Sequence, residues 1–335
     1  MASGAALAIV IVIAAGAFSG TALLPMKYTN GWKFENTWLL YSVIAYLISP
    51  WIVALATVPH LSDVYLAAGT KACVLTALFG VAWGVAVVLN GIGVAMVGLS
   101  LALAILMGSS VAIGSLGPLL LKDPGALLTR TGRTIALWDL VMLTGVLLCA
   151  WAGELRGRAQ SQEVVRKVTT RGILICLVAG LLSTFFNLVL SYGEVISIQA
   201  TAHGANPFNA SNAVWSLAVS AGSLPSILWC VTRLSLARDW RVFGDGNPLK
   251  NSGLCLLMGA MWITGTVVYG AGAGMLGPLG PAVGWPIYMS GIILTSSFWG
   301  WTTGEWRGSE RRPVHFMLAG IIVQIAAVVA LGRSQ

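Results

Sequence analysis

Long apolar stretches, broken by short polar segments, follow one another along the whole chain. About 20 consecutive apolar residues are enough for a helix to cross the hydrocarbon core of a bilayer. By this measure the sequence predicts ten spans, at residues 4–24, 38–58, 72–90, 97–121, 134–152, 172–192, 211–232, 251–270, 277–302 and 314–332. The pattern therefore predicts an all-α integral membrane protein with ten transmembrane helices.

One segment of the chain, residues 80–98, recurs at residues 259–277 with a constant offset of 179. The matched residues are Gly80 and Gly259, Trp83 and Trp262, Val88 and Val267, Gly91 and Gly270, Gly93 and Gly272, Met96 and Met275, and Gly98 and Gly277. Asn90 of the first copy is replaced by Tyr269 in the second. A motif repeated once in each half indicates a duplicated architecture. We expect each copy to form a helix, a glycine-rich turn and a second helix.

The duplication divides the chain into two five-helix repeats, at residues 1–152 and 172–335, joined by a cytoplasmic linker at 153–171. Because each repeat has an odd number of spans, the second repeat must enter the membrane in the opposite direction. The sequence thus predicts an inverted repeat, an arrangement common among secondary transporters.

Charged residues make up only 9% of the chain and are concentrated in the predicted loops. In a soluble protein the net charge of +8 would suggest a nucleic-acid partner, but Lys and Arg residues in loops orient a membrane protein and contact anionic lipids. One side of the predicted topology has 14 of them and the other has 5. By the positive-inside rule the richer side is cytoplasmic, which puts both termini outside. We expect membrane lipids as partners and no nucleic acid.

The residue types needed for catalysis or metal binding are not grouped in the sequence. The five cysteines all fall in apolar segments without a CxxC pair, and the three histidines are isolated. No Ser, His and acidic residues converge, and no glycine-rich loop follows a strand. We therefore expect no enzyme activity, no cofactor and no metal site.

Polar residues inside membrane spans are costly, which makes them the remaining functional candidates. In span six, Ser183, Asn187, Ser191 and Glu194 are spaced so that they share one helical face. This face predicts a hydrated cavity lined by spans one and six, with Ser183 and Asn187 as substrate-binding residues. The alternative is ordinary hydrogen bonding between helices.

Trp83 and Asn90 lie seven residues apart, as do Trp262 and Tyr269 in the second copy of the motif. Seven residues return almost to the same face of a helix, so each pair can present an aromatic ring and a polar group to one cavity. An apolar site with a few polar groups suits a sugar, whose C–H surface stacks on aromatic rings while its hydroxyls form hydrogen bonds. The alternative is that these tryptophans pack between helices or lie at the membrane interface.

Span nine contains Pro278, Pro281 and Pro286, which predict a kink or a locally unwound segment at its outer end. A membrane tolerates such a segment only beside protein or a water-filled cavity. Trp285 and Tyr288 are therefore further candidates for the substrate site.

A proton-coupled transporter needs a protonatable group, and the predicted spans contain few. Glu194 ends the polar face of span six, and Asp139 lies inside span five. Both are candidates for proton coupling. The alternative for Asp139 is an ion pair with Arg133 near the outer interface.

Several short motifs resemble those of one transporter family. They are Pro25-Met-Lys27 with Trp32, Glu35 and Trp38, the Pro50-Trp51 pair, Gly80-x-x-Trp83-Gly, and Glu305-Trp306 with Arg311-Arg312-Pro313-Val314. From about Gly16 to the last span, the chain is similar to the L-rhamnose–proton symporter family of the drug/metabolite transporter superfamily. The resemblance implies a ten-helix inverted-repeat bundle that imports a deoxy-sugar with a cation. The chain departs from that family's pattern at Pro281 and Tyr288, which leaves another small polar solute open as the substrate.

These observations favour a secondary active transporter that imports a monosaccharide, L-rhamnose or a related sugar, by alternating access with proton or other cation coupling. The predicted substrate-binding residues are Trp83, Asn90, Asn187, Trp262, Tyr269, Trp285, Tyr288 and Ser183. The asparagines would bind sugar hydroxyls and the tryptophans would stack. The alternatives are an exporter of amino acids or other metabolites and a membrane sugar sensor that does not transport. We expect a multi-pass protein of a bacterial-type inner membrane.

Overall fold

A computed structural model describes residues 2–122, 125, 128–160, 170–277, 280–304 and 306–333. Pro278, Glu305 and residues 161–169 of the predicted linker lie outside this part of the chain. The first α-helices are α1 (Ala2–Thr21), α2 (Phe34–Ser42), α3 (Ser49–Thr57), α4 (Leu61–Ala68), α5 (Thr70–Val97), α6 (Leu99–Lys122) and α7 (Arg130–Gln160). They are followed by α8 (Thr170–Ser183), α9 (Phe185–Tyr192), α10 (Glu194–Ala202), α11 (Asn212–Ala237), α12 (Pro248–Met275), α13 (Gly280–Thr302) and α14 (Arg311–Arg333).

Within the described residues, eight helical segments are long and apolar enough to cross a membrane. They are Gly4–Tyr28, Phe34–Thr57, Thr70–Val97, Arg130–Gly157, Thr170–Ala202, Asn212–Ala237, Pro248–Met275 and Arg311–Leu331. The other two predicted spans, 97–121 and 277–302, correspond to α6 and α13. The chain is thus a multi-pass, all-α membrane protein.

The repeated motif forms a longer helix than expected, so the prediction of a turn at its central glycines is wrong. α5 continues through Gly91 and Gly93, and the chain turns only at Gly98, whose φ of 88° lies in the region that favours glycine. In the second copy the turn is likewise delayed to Gly277, at a φ of 65°. Inside the helix, Gly93 instead makes room for the Cys176 side chain of α8.

Span nine is more regular than its prolines suggest, and the predicted unwinding is absent from residues 280–304. Pro281 lies in the first turn of α13, where the missing N–H costs nothing. Pro286 lies inside the helix and removes the hydrogen bond to the carbonyl of Ala282. The Ser115 hydroxyl of α6 donates to that carbonyl at 2.6 Å. A neighbouring helix therefore satisfies the group that the proline leaves free.

The second membrane segment contains one wide turn with i→i+5 hydrogen bonding, at Val43–Ile48 between α2 and α3. Tyr41 and Tyr46 are five residues apart, a spacing that a regular α-helix would place on different faces. Here their rings contact each other at a centroid distance of 5.2 Å. The wide turn therefore brings both tyrosines to one face, as such turns commonly do at functional sites.

Glycines allow α5 and α11 to cross in backbone contact. Gly80 faces the backbone of Ala218, and Gly84 faces the backbone of Gly222. Small residues at a crossing are the usual means by which helices associate closely in lipid. The ring of Trp83, which lies between the two glycines in sequence, fills the space beside Gly222. The crossing thereby fixes the position of Trp83 in the bundle.

Candidate functional site

A cavity of about 180 Å³ lies between helices from both halves of the chain. At about 30 Å³ per water molecule, this is the volume of roughly six waters, enough for one small solute. Aromatic side chains form most of its wall. The lining residues are Ser19, Leu23, Trp38, Tyr41, Tyr46, Trp83, Phe186, Trp262, Trp285, Tyr288, Met289 and Ile292.

The two tryptophans of the repeated motif meet in this wall. Trp83 and Trp262 stack in an offset arrangement, with ring centroids 5.8 Å apart and planes inclined by 21°. Tyr46 forms T-shaped contacts with both rings, at centroid distances of 5.2 and 4.6 Å. Phe186 packs on Trp83 from α9 at 5.1 Å. Trp83 and Trp262, from equivalent positions of the two copies, thus form one aromatic surface with Tyr46 and Phe186.

Four hydroxyl groups supply the polar part of the wall. Ser19 and Tyr288 share a hydrogen bond of 2.7 Å, and Tyr46 donates to Tyr41 over 3.3 Å. A hydroxyl can donate one hydrogen bond and accept two, so each keeps capacity for a ligand. The cavity can therefore offer both donors and acceptors beside its aromatic surface.

The wall becomes more exposed from one end of the cavity to the other. At the deep end, Trp285 and Tyr288 are each 3% exposed, and the Trp285 indole donates to the carbonyl of Ser110 at 2.9 Å. At the other end Leu23 is 45% exposed and Trp38 is partly buried. This second end lies at the end of α1 and the start of α2, next to the loop that carries Lys27 and Lys33.

Asn187 forms a buried junction of four helices behind the deep end. Its amide NH₂ donates to the carbonyls of Gly114, at 2.7 Å, and Pro281, at 2.8 Å. Its amide oxygen accepts a hydrogen bond from the Tyr269 hydroxyl. The Tyr269 ring in turn stacks on Tyr288, with centroids 4.5 Å apart. In this conformation the asparagine is fully buried and its bonds hold helices together.

The predicted substrate-binding residues thus fall into three groups. Trp83, Trp262, Trp285 and Tyr288 line the cavity. Asn187 and Tyr269 lie one layer behind it, and the structure does not support the expectation that Asn187 faces the cavity directly. Asn90 and Ser183 are partly buried and do not line the cavity. The reason for Asn90 is distance, because two helical turns place it about 10 Å along α5 from Trp83.

The two acidic candidates have opposite environments. Glu194 begins α10 and is exposed, because Gly193 ends α9 before the polar face can continue. Asp139 is only 3% exposed on α7. The alternative for Asp139, an ion pair with Arg133, is not seen, because both Asp139 carboxyl oxygens lack a partner and the Arg133 guanidinium donates to the carbonyl of Leu128 at 3.0 Å. Only Asp139 therefore remains a buried acid near the bundle interior.

Sequence reasoning missed four aromatic residues of the wall, namely Trp38, Tyr41, Tyr46 and Phe186. Phe186 directly precedes Asn187 in the sequence, but it is not one of the polar residues by which span six was analysed. The two tyrosines share a face only because of the wide turn, which nothing in the sequence marks. Among the described residues, no group of three His, Cys, Asp or Glu side chains could hold a metal ion. The residues that line this cavity are aromatic, apolar or hydroxyl-bearing, so they offer stacking and hydrogen bonding.

The known proteins to which the chain is similar share one name. The chain is 26% identical over 319 residues to the L-rhamnose-proton symporter of Cronobacter sakazakii, with 92% of each chain covered. It is also 26% identical to the symporter of that name from Klebsiella pneumoniae subsp. pneumoniae, covering 92% of this chain and 93% of the relative. The symporter of Escherichia coli O1:K1 is 24% identical over 315 residues, with 92% of each chain covered. These relatives are transporters, in agreement with the prediction that the chain is not an enzyme.

A family model provides the decisive match, because it covers the whole chain rather than a shared segment. The model described as the L-rhamnose-proton symport protein matches residues 1–335. The motifs that suggested this resemblance are therefore parts of one continuous similarity. The chain belongs to the L-rhamnose-proton symport protein family.

Proposed function

We propose that this protein imports L-rhamnose, or a closely related monosaccharide, together with a proton and binds the sugar in the aromatic cavity. The observation that carries the assignment of the site is the offset stack of Trp83 and Trp262 beside four hydroxyl groups. A six-carbon deoxy-sugar has an apolar C–H face, a methyl group and several hydroxyls. The aromatic rings would contact the apolar surface, and Ser19, Tyr46 and Tyr288 would hydrogen-bond the hydroxyls.

The transporter would consist of ten membrane helices in two inverted repeats, with α6 and α13 as the fourth and ninth. Helix pairing supports this arrangement, because α1 packs on α12 and α13 whereas its counterpart α8 packs on α5 and α6. Likewise Gly80 of α5 approaches α11, and its equivalent Gly259 of α12 approaches Ile44 in the second membrane segment. Contacts exchanged between halves in this way are expected of inverted repeats.

Alternating access would follow from motion of the two repeats around this central cavity. The distribution of Lys and Arg residues supports an orientation with both termini outside. In that orientation the exposed end of the cavity, at Leu23 and Trp38, faces the cytoplasm. The junction of Asn187 and Tyr269 then closes the outer side. The conformation described here would be the inward-facing state, from which sugar leaves.

Transport by purified protein in proteoliposomes tests this function. We expect labelled L-rhamnose to accumulate when the outside is made acidic, and to exchange by counterflow when sugar is present on both sides. Counterflow separates a transporter from a sugar sensor, which would bind L-rhamnose without moving it. A protein that neither accumulates nor exchanges L-rhamnose or a related monosaccharide would refute the proposal.

Two matched tyrosine variants test which layer touches the sugar. Tyr288→Phe removes a hydroxyl from the cavity wall and should weaken sugar affinity about fivefold, the effect of one hydrogen bond of about 1 kcal/mol. Tyr269→Phe makes the same chemical change one layer behind the wall. It should leave affinity nearly unchanged but lower stability by about 1–3 kcal/mol, because the buried oxygen of Asn187 loses its partner. Counterflow kinetics and thermal unfolding in detergent measure the two effects, and equal losses of affinity would contradict this layering.

A further inference from the structure

Asp139 is the one buried acidic residue in the described part of the chain, and nothing in the proposed sugar site uses it. It lies nine residues into α7, about 13 Å along the helix axis from Arg130. Both of its carboxyl oxygens are buried without a hydrogen-bond partner. Burying a carboxylate charge without a partner is very costly, so residues of this kind inside membranes mark ion or proton pathways.

Among the residues that the structure describes, no side chain forms an ion pair or a hydrogen bond with the Asp139 carboxyl oxygens. On α13 and on residues 99–117 of α6, Tyr288 is the one titratable residue, and its hydroxyl is hydrogen-bonded to Ser19. On α14, Arg333 is the last residue, and the other basic residues, Arg311, Arg312 and His315, occupy the first turns. Those turns pack beside the far end of α7, where Cys149 contacts Met317. A carboxyl in this setting is accommodated in its neutral, protonated form, and a charged form requires water to reach it.

One segment of α6 connects this carboxyl to the cavity. Ser115 is the polar side chain beside Asp139, although its hydroxyl is directed to the carbonyl of Ala282 on α13. The preceding residue, Gly114, accepts the hydrogen bond from Asn187. One turn earlier, the carbonyl of Ser110 accepts the hydrogen bond from the cavity tryptophan, Trp285. Residues 110–115 therefore touch the acid on one side and support the cavity wall on the other.

We propose that Asp139 is the group that takes up and releases the symported proton, coupled to the sugar cavity through residues 110–115 of α6. The proposal rests on the sugar site described above. A proton from outside binds the carboxylate, and the neutral carboxyl can then be enclosed between α6 and α7 as in this conformation. Loss of the proton to the cytoplasm leaves a charge that favours separation of these helices. Asn187 and Trp285 are hydrogen-bonded to residues 110–115 of α6. Separation of α6 from α7 would therefore also change the cavity wall.

Asp139→Asn tests the proposal, because it preserves the shape of the side chain and cannot exchange a proton. In proteoliposomes, this variant should not accumulate L-rhamnose above equilibrium under an inward proton gradient, and adding L-rhamnose should not alkalinise the medium. It should still exchange L-rhamnose by counterflow, which needs no net proton movement. Glu194→Gln is the matched control at an exposed acid and should retain both accumulation and alkalinisation.

Two results would overturn this assignment. Proton-driven accumulation at the wild-type level by Asp139→Asn would exclude Asp139 as the proton carrier. Loss of counterflow, or of the thermal stabilisation by L-rhamnose, would mean that Asp139 serves folding or sugar binding instead. Failure of the proposed function itself looks different, since the wild-type protein would then show no counterflow of L-rhamnose.

Discussion

Replacing Trp262 with alanine is expected to weaken L-rhamnose transport by about 10- to 100-fold without unfolding the protein. The indole forms half of the aromatic stack in the cavity wall and makes a T-shaped contact with Tyr46. Loss of a large buried apolar contact costs about 1.5–3 kcal/mol, and each 1.4 kcal/mol is a factor of ten in affinity. The measurement is the concentration dependence of L-rhamnose counterflow in proteoliposomes.

Trp301 provides the matched control for this variant. It lies near the end of α13, is 49% exposed and does not line the cavity. Trp301→Ala also removes an indole, but from a surface that faces lipid or the membrane interface. L-rhamnose transport by this variant should therefore stay within about twofold of wild type. Equal L-rhamnose transport by the two variants would show that Trp262 does not contact the substrate.

A single methyl group at Gly84 is expected to destabilise the whole bundle. Its Cβ would overlap the backbone of Gly222 where α5 crosses α11. Backbone cannot move aside as a side chain can, so Gly84→Ala should cost about 3 kcal/mol, near the upper end for overpacked interiors. Because the crossing also positions Trp83, L-rhamnose affinity should fall with stability. Thermal unfolding in detergent measures the first effect and counterflow the second.

Gly91→Ala is the control on the same helix. Apart from its chain neighbours and the nearby backbone of its own helix, no atom lies within 4 Å of the position its Cβ would take. Alanine favours a helix over glycine by up to about 1 kcal/mol, so this variant should be as stable as wild type or slightly more stable. A melting temperature for Gly84→Ala as high as that of Gly91→Ala would contradict the described crossing.

The membrane segments could be predicted from hydropathy because lipid imposes a strict requirement on length and polarity. The turns could not, since glycine is compatible both with a turn and with a helix packed tightly against a neighbour. Gly93 and Gly272 are predicted to permit tight turns and close helix approach, but the structure shows only the close approach, to Cys176 and Val12, inside continuous helices. The choice depends on what lies opposite the glycine, which only the tertiary structure determines.

The candidate site likewise combines features that the sequence predicts with features that depend on tertiary contacts. The duplicated motif marks Trp83 and Trp262 as equivalent positions, and in the structure their rings stack in one cavity wall. Helical periodicity predicts that Asn187 lies on a polar face of its helix. It does not predict the hydrogen-bond partners of Asn187, which include carbonyls of α6 and α13. Tyr41 and Tyr46 reach the cavity through a wide turn that depends on local packing rather than on a sequence signal.

Protection of a cavity cysteine by sugar tests the central claim most directly. Ser19 lies in the cavity wall and Ser235 is exposed near the end of α11. Each is replaced by cysteine in a protein whose five native cysteines are changed to alanine, and modification by a water-soluble thiol reagent is timed. If L-rhamnose binds in the aromatic cavity, it should slow modification of Ser19→Cys but not of Ser235→Cys. Unchanged modification of Ser19→Cys by a protein that still transports L-rhamnose would place the sugar site elsewhere.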